Sequence, residues 1–146
     1  MRKLVSEALF TLSLGIVVSG LGAATPPTAG NKADVTLPKP GAKVPLGKDH
    51  YFTYGFTQPP KLGNAIMRVE IFTLAGQRDR SFTVRGDADM PSMRGAHSSG
   101  PKPFALSAKG AYLLPVQLVM PGDWEIKLSF EKAGATGLRG IYLFDL

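Results

Sequence analysis

The chain has 146 residues, 17 Lys and Arg against 11 Asp and Glu, a formal charge of +6, and no cysteine. That length suits one domain with a single core, and the missing cysteine excludes disulfide staples, thiolate metal sites, thiol catalysis and a lipid-bearing N-terminal cysteine. The basic residues are spread along the chain rather than gathered into a stripe, and no nucleic-acid-binding module is present, so the excess charge reads as a basic surface and not as a nucleic-acid site.

The first 24 residues have the layout of an export signal. Arg2 and Lys3 precede an apolar run from Ala8 to Val18, and small residues from Ser19 to Ala24 lead into Thr25-Pro26-Pro27. This is the charged start, apolar middle and small-residue cleavage pattern of a secretory signal. An uncleaved anchor is the rival reading, but the run is short against the roughly 20 apolar residues of a membrane span. No other segment is long and apolar enough to cross a bilayer, so no integral membrane domain is expected after cleavage. The expected location is periplasmic or secreted.

Residues 25–48 are rich in Pro, Gly, Lys and Thr and read as a flexible leader with one short strand, Ala33 to Leu37, ended by Pro38. From residue 49 to 146 the pattern has period two, the mark of half-buried antiparallel strands. Phe52, Tyr54 and Phe56 alternate with Tyr51, Thr53 and Gly55, and Met67, Val69 and Ile71 alternate with Arg68, Glu70 and Phe72. Phe82 and Val84 follow in a short run. Tyr112, Leu114, Val116, Leu118 and Met120 then share one face, as do Trp124, Ile126, Leu128 and Phe130. The last segment, Gly140 to Leu146, is apolar on both faces. Connectors rich in Gly, Pro, Asn and Asp separate these runs. About seven strands at this spacing predict an all-β, immunoglobulin-like antiparallel sandwich. Pro115 has no amide hydrogen, so its strand is expected at an edge or bulged there.

The least ordinary stretch is "DADMPSMRGAH", Asp87 to His97. Cu(I) favours thioether and imidazole over carboxylate, and Met90, Met93 and His97 sit close in sequence across Pro91, whose fixed φ limits the freedom lost on ordering a turn. Met120 opens a second Met-Pro turn and is a fourth candidate ligand. The competing reading is packing: methionine fills irregular gaps, and Met120 falls in register with core-facing residues. Both readings stand on the residues alone. Asp87 and Asp89 are too few oxygens for calcium. Trp124 reads as core, and His50 as exposed or hydrogen-bonded.

The chain also resembles the YtkA-like family of small exported immunoglobulin-like domains, and is similar to the nitrogen-fixation H-type proteins. Met90, Pro91, Met93, His97, Gly110, Tyr112, Met120, Gly122 and Trp124 carry the resemblance, which covers Tyr51 to Phe130. It implies a sandwich associated with metal efflux or copper handling, with another exported protein or a membrane metal-transport system as partner. No Gly-x-Ser-x-Gly elbow, His-Glu-x-x-His pair or phosphate-binding glycine loop occurs, so no enzyme is expected. The expected function is an accessory domain binding Cu(I) or a related soft metal at the Met-Pro-Ser-Met turn. The alternative is a metal-free protein–protein interaction module of the periplasm or cell surface.

Overall fold

A computed structural model describes residues 33–146; the expected signal, residues 1–24, and the first part of the leader lie outside the described residues. Among the described residues, ten strands form two five-stranded sheets. The strands are β1 (Val35–Thr36), β2 (Val44–Leu46), β3 (His50–Phe56), β4 (Gly63–Thr73) and β5 (Thr83–Asp89), followed by β6 (Lys102–Pro103), β7 (Ala105–Leu106), β8 (Tyr112–Leu118), β9 (Asp123–Lys132) and β10 (Ala135–Asp145). One sheet runs β1-β10-β9-β5-β6 and the other β2-β3-β4-β8-β7. All pairs are antiparallel except β1 with β10. The architecture is the expected all-β, immunoglobulin-like sandwich.

Alternation sets the core. Phe52 and Tyr54 from β3, Met67, Val69 and Ile71 from β4, Tyr112 to Leu118 at every second position of β8, and Trp124, Ile126, Leu128 and Phe130 from β9 are all buried. The two sheets meet where Phe52 and Phe130 approach to 4.4 Å between ring centroids. Apolar burial of this kind is the main stabilising term in a chain without disulfides.

The strand count and some boundaries differ from expectation. Three short strands, Val44–Leu46, Lys102–Pro103 and Ala105–Leu106, have too few residues to show a period. Residues 33–48 are built into the sandwich: β1 and β2 lie here, and Leu37, Val44 and Leu46 are buried. Strand β10 begins at Ala135, inside a glycine-rich stretch that reads as a turn, and absorbs the irregularity as a register shift between Thr136 and Arg139. Pro115 pairs with Ile66 of β4, while β7 covers only Tyr112 and Leu113 on the other side. The missing amide hydrogen therefore falls where β8 is an edge.

Gly140 explains how β1 docks. A Cβ at this position would lie 2.6 Å from Leu37 Cδ2 and 2.9 Å from its Cγ. The bare glycine lets Leu37 lie flat on β10 and enter the core, while the Leu37 N–H donates to the Ile141 carbonyl at 2.8 Å.

Candidate functional site

Strand β5 runs on to Asp89 and delivers Met90 into the core, with 1% of its surface exposed. Pro91 then opens a single 3-10 turn, Pro91–Met93, closed by the Met93 N–H donating to the Met90 carbonyl at 3.0 Å. Proline suits this first position because its φ is already set and its absent N–H would have had no partner. The buried Asp89 carboxylate accepts from the Met90 N–H at 2.9 Å and from the Gly95 N–H at 3.1 Å, tying both ends of the loop together.

Two further anchors hold the loop to strand β9. The Ser92 N–H and hydroxyl both donate to Asp123, at 2.9 and 2.5 Å. The hydrogen bond from the Ser92 hydroxyl, helped by the one from its N–H, outweighs desolvation and holds the Asp123 carboxyl below the usual carboxylate range. Arg94 reaches Glu125 at 2.7 Å, and Lys127 reaches the same carboxylate at 3.0 Å. Glu125 alternates with the core residues of β9 and so faces outward, yet its side chain is only 2% exposed because the loop lies over it. Sequence pattern alone assigns Glu125 and Asp123 to solvent. Only the spacing of Ser92 and Arg94, two residues apart like Asp123 and Glu125, hints at the pairing.

The four expected ligands occupy one end of the sandwich. Met90 is core, and its methyl group closes against the backbone of the facing turn: a Cβ on Gly122 would lie 3.0 Å from Met90 Cε. Gly122 has φ +135°, a conformation that itself favours glycine. Met93 and Met120 are half-buried and pack against the same core. Strand β8 ends at Leu118, so Met120 leaves the alternation and belongs to the turn, where its carbonyl accepts from the Trp124 ring N–H at 3.1 Å. His97 is half-buried in a cleft of about 390 Å³ that it shares with Asn64, Lys102, Gln117 and Val119. Its ring makes no hydrogen bond among the described residues, whereas Trp124 is the expected core residue, 1% exposed.

The other polar groups of the segment are spoken for. Ser98 and Ser99 direct their hydroxyls to Asp87, at 3.1 and 3.3 Å, and not to His97. Among the described residues no three His, Asp or Glu side chains group closely enough to hold a metal ion. The segment's remaining donor types are thioether sulfur and imidazole, which suit a soft cation.

At the other end of the molecule, His50 Nε2 and Lys132 Nζ each lie 2.8 Å from Asp79, which also accepts from Ser81. Desolvation pushes the Asp79 carboxyl up, but hydrogen bonds from Lys132, Ser81 and His50 together outweigh it and hold it well below the usual carboxylate range. This network clasps strands β3 and β9 to the β4–β5 connection. Spacing in the sequence gives no sign of it, since its members are 29 and 53 residues apart.

The chain is thus an all-β, immunoglobulin-like sandwich with a loop capping one end. No protein-family model and no curated protein matches the chain. Among solved structures it is similar to FetP of uropathogenic E. coli strain F11, crystallised as isolated after recombinant expression in the periplasm of E. coli. The TM-score is 0.53 at 10% identity, over 73% of this chain and 93% of that one, a likeness of fold. Among the described residues no helix is long and apolar enough to cross a membrane.

Proposed function

We propose that this chain is an exported, non-enzymatic accessory domain of the YtkA-like kind, periplasmic or secreted, that holds a soft cation of the Cu(I) class. The ligands are Met93, Met120 and His97, with Met90 as the packed floor beneath them. One observation carries the reading. Met90 closes against Gly122, half-buried Met93 follows Met90 by three residues and half-buried Met120 precedes Gly122 by two, and His97 lies in the cleft lined by Val119, the neighbour of Met120, with its ring nitrogens uncommitted among the described residues. When bound, the cation is held by soft donors in a site shielded from hard competitors. The chain's own work is to keep that site rigid through the Asp89, Asp123 and Glu125 anchors. A partner able to give or take such an ion is another exported protein or a membrane metal-transport system.

The test is Cu(I) titration of the mature chain under reducing conditions, in competition with a chromogenic chelator. The wild type and Met90→Leu are expected to bind one equivalent, and the variant Met93→Leu, Met120→Leu, His97→Ala to bind none. Binding should also raise stability, by about 2.7 kcal/mol at a hundredfold excess of free ion over Kd. Equal uptake by the wild type and the triple variant overturns the assignment.

A further inference from the structure

Strand β10 is only partly covered along its outer edge. The Leu37 N–H donates to the Ile141 carbonyl, so the backbone groups of Ile141 point away from β9 and toward β1. Successive strand residues alternate in this respect, so the N–H and C=O groups of Leu143 and Asp145 point the same way. The opposite phase is visible at Leu146, which exchanges hydrogen bonds with Gly122 on the β9 side, at 3.0 and 3.2 Å. β1 pairs only with Gly140 and Ile141, and its chain turns away at Pro38. Among the described residues nothing pairs with the edge from Leu143 to Asp145. The comparable open stretch of β8 is blunted by Pro115, a device that discourages strand addition.

The flank of this edge has a definite chemistry. Leu143 is 53% exposed and borders a cleft of about 490 Å³ shared with Thr36, Pro91, Arg94 and Phe144. Asp145 stands directly opposite Asp123, and Leu143 directly opposite Glu125. Like charges placed across a strand pair repel. Arg94 and Lys127, both bonded to Glu125, offset only part of this charge, so the three carboxylates outnumber the two cations.

We propose that this edge accepts an extended, basic polypeptide segment of a partner by strand addition. Roughly four residues would pair with Leu143 and Asp145. An apolar side chain would lie on Leu143, and a Lys or Arg would answer Asp145 and Asp123. A second copy of this chain fits poorly. Residues 34–37 already occupy β10 from Arg139 to Ile141, and the free remainder offers an apolar residue and a carboxylate but no cation. The inference is independent of cation binding.

The experiment uses a capped Lys-Thr-Val-Thr-Lys peptide, whose valine and lysines share one strand face, and its Glu-Thr-Val-Thr-Glu counterpart, titrated into the isotope-labelled mature chain and followed by NMR. The basic peptide is expected to shift and slow exchange of the Leu143 and Asp145 amides, with affinity that falls as salt rises. The Asp145→Lys variant, altered only at an exposed side chain, should weaken binding by roughly fivefold, the upper range for exposed ion pairs, and Leu143→Lys should weaken it further. Equal binding of the acidic peptide, shifts confined to other surfaces, or a dimer in sedimentation that Leu143→Lys abolishes would each overturn the proposal.

Discussion

At the scale of single residues, Met90 shows why a methionine-rich turn is not by itself a metal site. Its side chain is 1% exposed and fills the gap between the end of β5 and the turn at Gly122. Truncation to alanine should cost about 2–5 kcal/mol through lost transfer energy and the cavity left behind. The near-isosteric Met90→Leu should cost less than about 1.5 kcal/mol; urea denaturation of both variants measures the difference. Asp79 makes a second residue-level case. Its folded pKa lies below the unfolded value near 4, so its contribution is complete above that value and is lost as pH falls through the folded pKa. Asp79→Asn should therefore be less stable than the wild type at pH 7, and the gap should narrow in acid, as followed by thermal melts across pH. Asp123 is shifted in the same direction, so the loop's hold on β9 should also weaken only in acid.

At the scale of elements, the docking of β1 rests on one missing methyl group. Gly140→Ala would drive a Cβ into Leu37, with three side-chain atoms at 2.6 to 3.0 Å, in a backbone conformation alanine otherwise tolerates. Overpacking of this kind typically costs about 1–3 kcal/mol. The double variant Gly140→Ala, Leu37→Ala should lose less than the sum of the two single changes, a coupling that a double-mutant cycle reads directly. The long strands were legible in the sequence because period two repeats over seven or more residues, as in β9 from Asp123 to Lys132. The two-residue strands Lys102–Pro103 and Ala105–Leu106 were not legible, since they are defined by their neighbours and carry no pattern of their own. The loop was legible in part: its methionines and histidine stood out by residue type, while Glu125 gave no sign that a loop would bury it.

At the scale of the whole molecule, a sandwich without disulfides concentrates rigidity in its apolar core and in four polar clasps. The Asp89–Gly95 and Ser92–Asp123 bonds with the Arg94–Glu125 pair cap one end, and the Asp79 network ties the other. A loop held this way needs little ordering when a ligand arrives, which limits the entropic cost of binding. Removing the Arg94–Glu125 clasp by Arg94→Ala leaves Glu125 with Lys127 alone. It should lower overall stability only modestly, because Arg94 is 60% exposed. Amide exchange at Gly95 and Ala96 should nonetheless quicken, since the loop loses its outer anchor.

The claim that the loop-capped end presents sulfur and imidazole to a soft cation is tested most directly by X-ray absorption at the copper edge of the Cu(I)-loaded mature chain. The expected spectrum contains two sulfur scatterers and one imidazole nitrogen, with the sulfur contribution lost in Met93→Leu, Met120→Leu. A shell made only of nitrogen and oxygen, unchanged in that variant, would contradict the account.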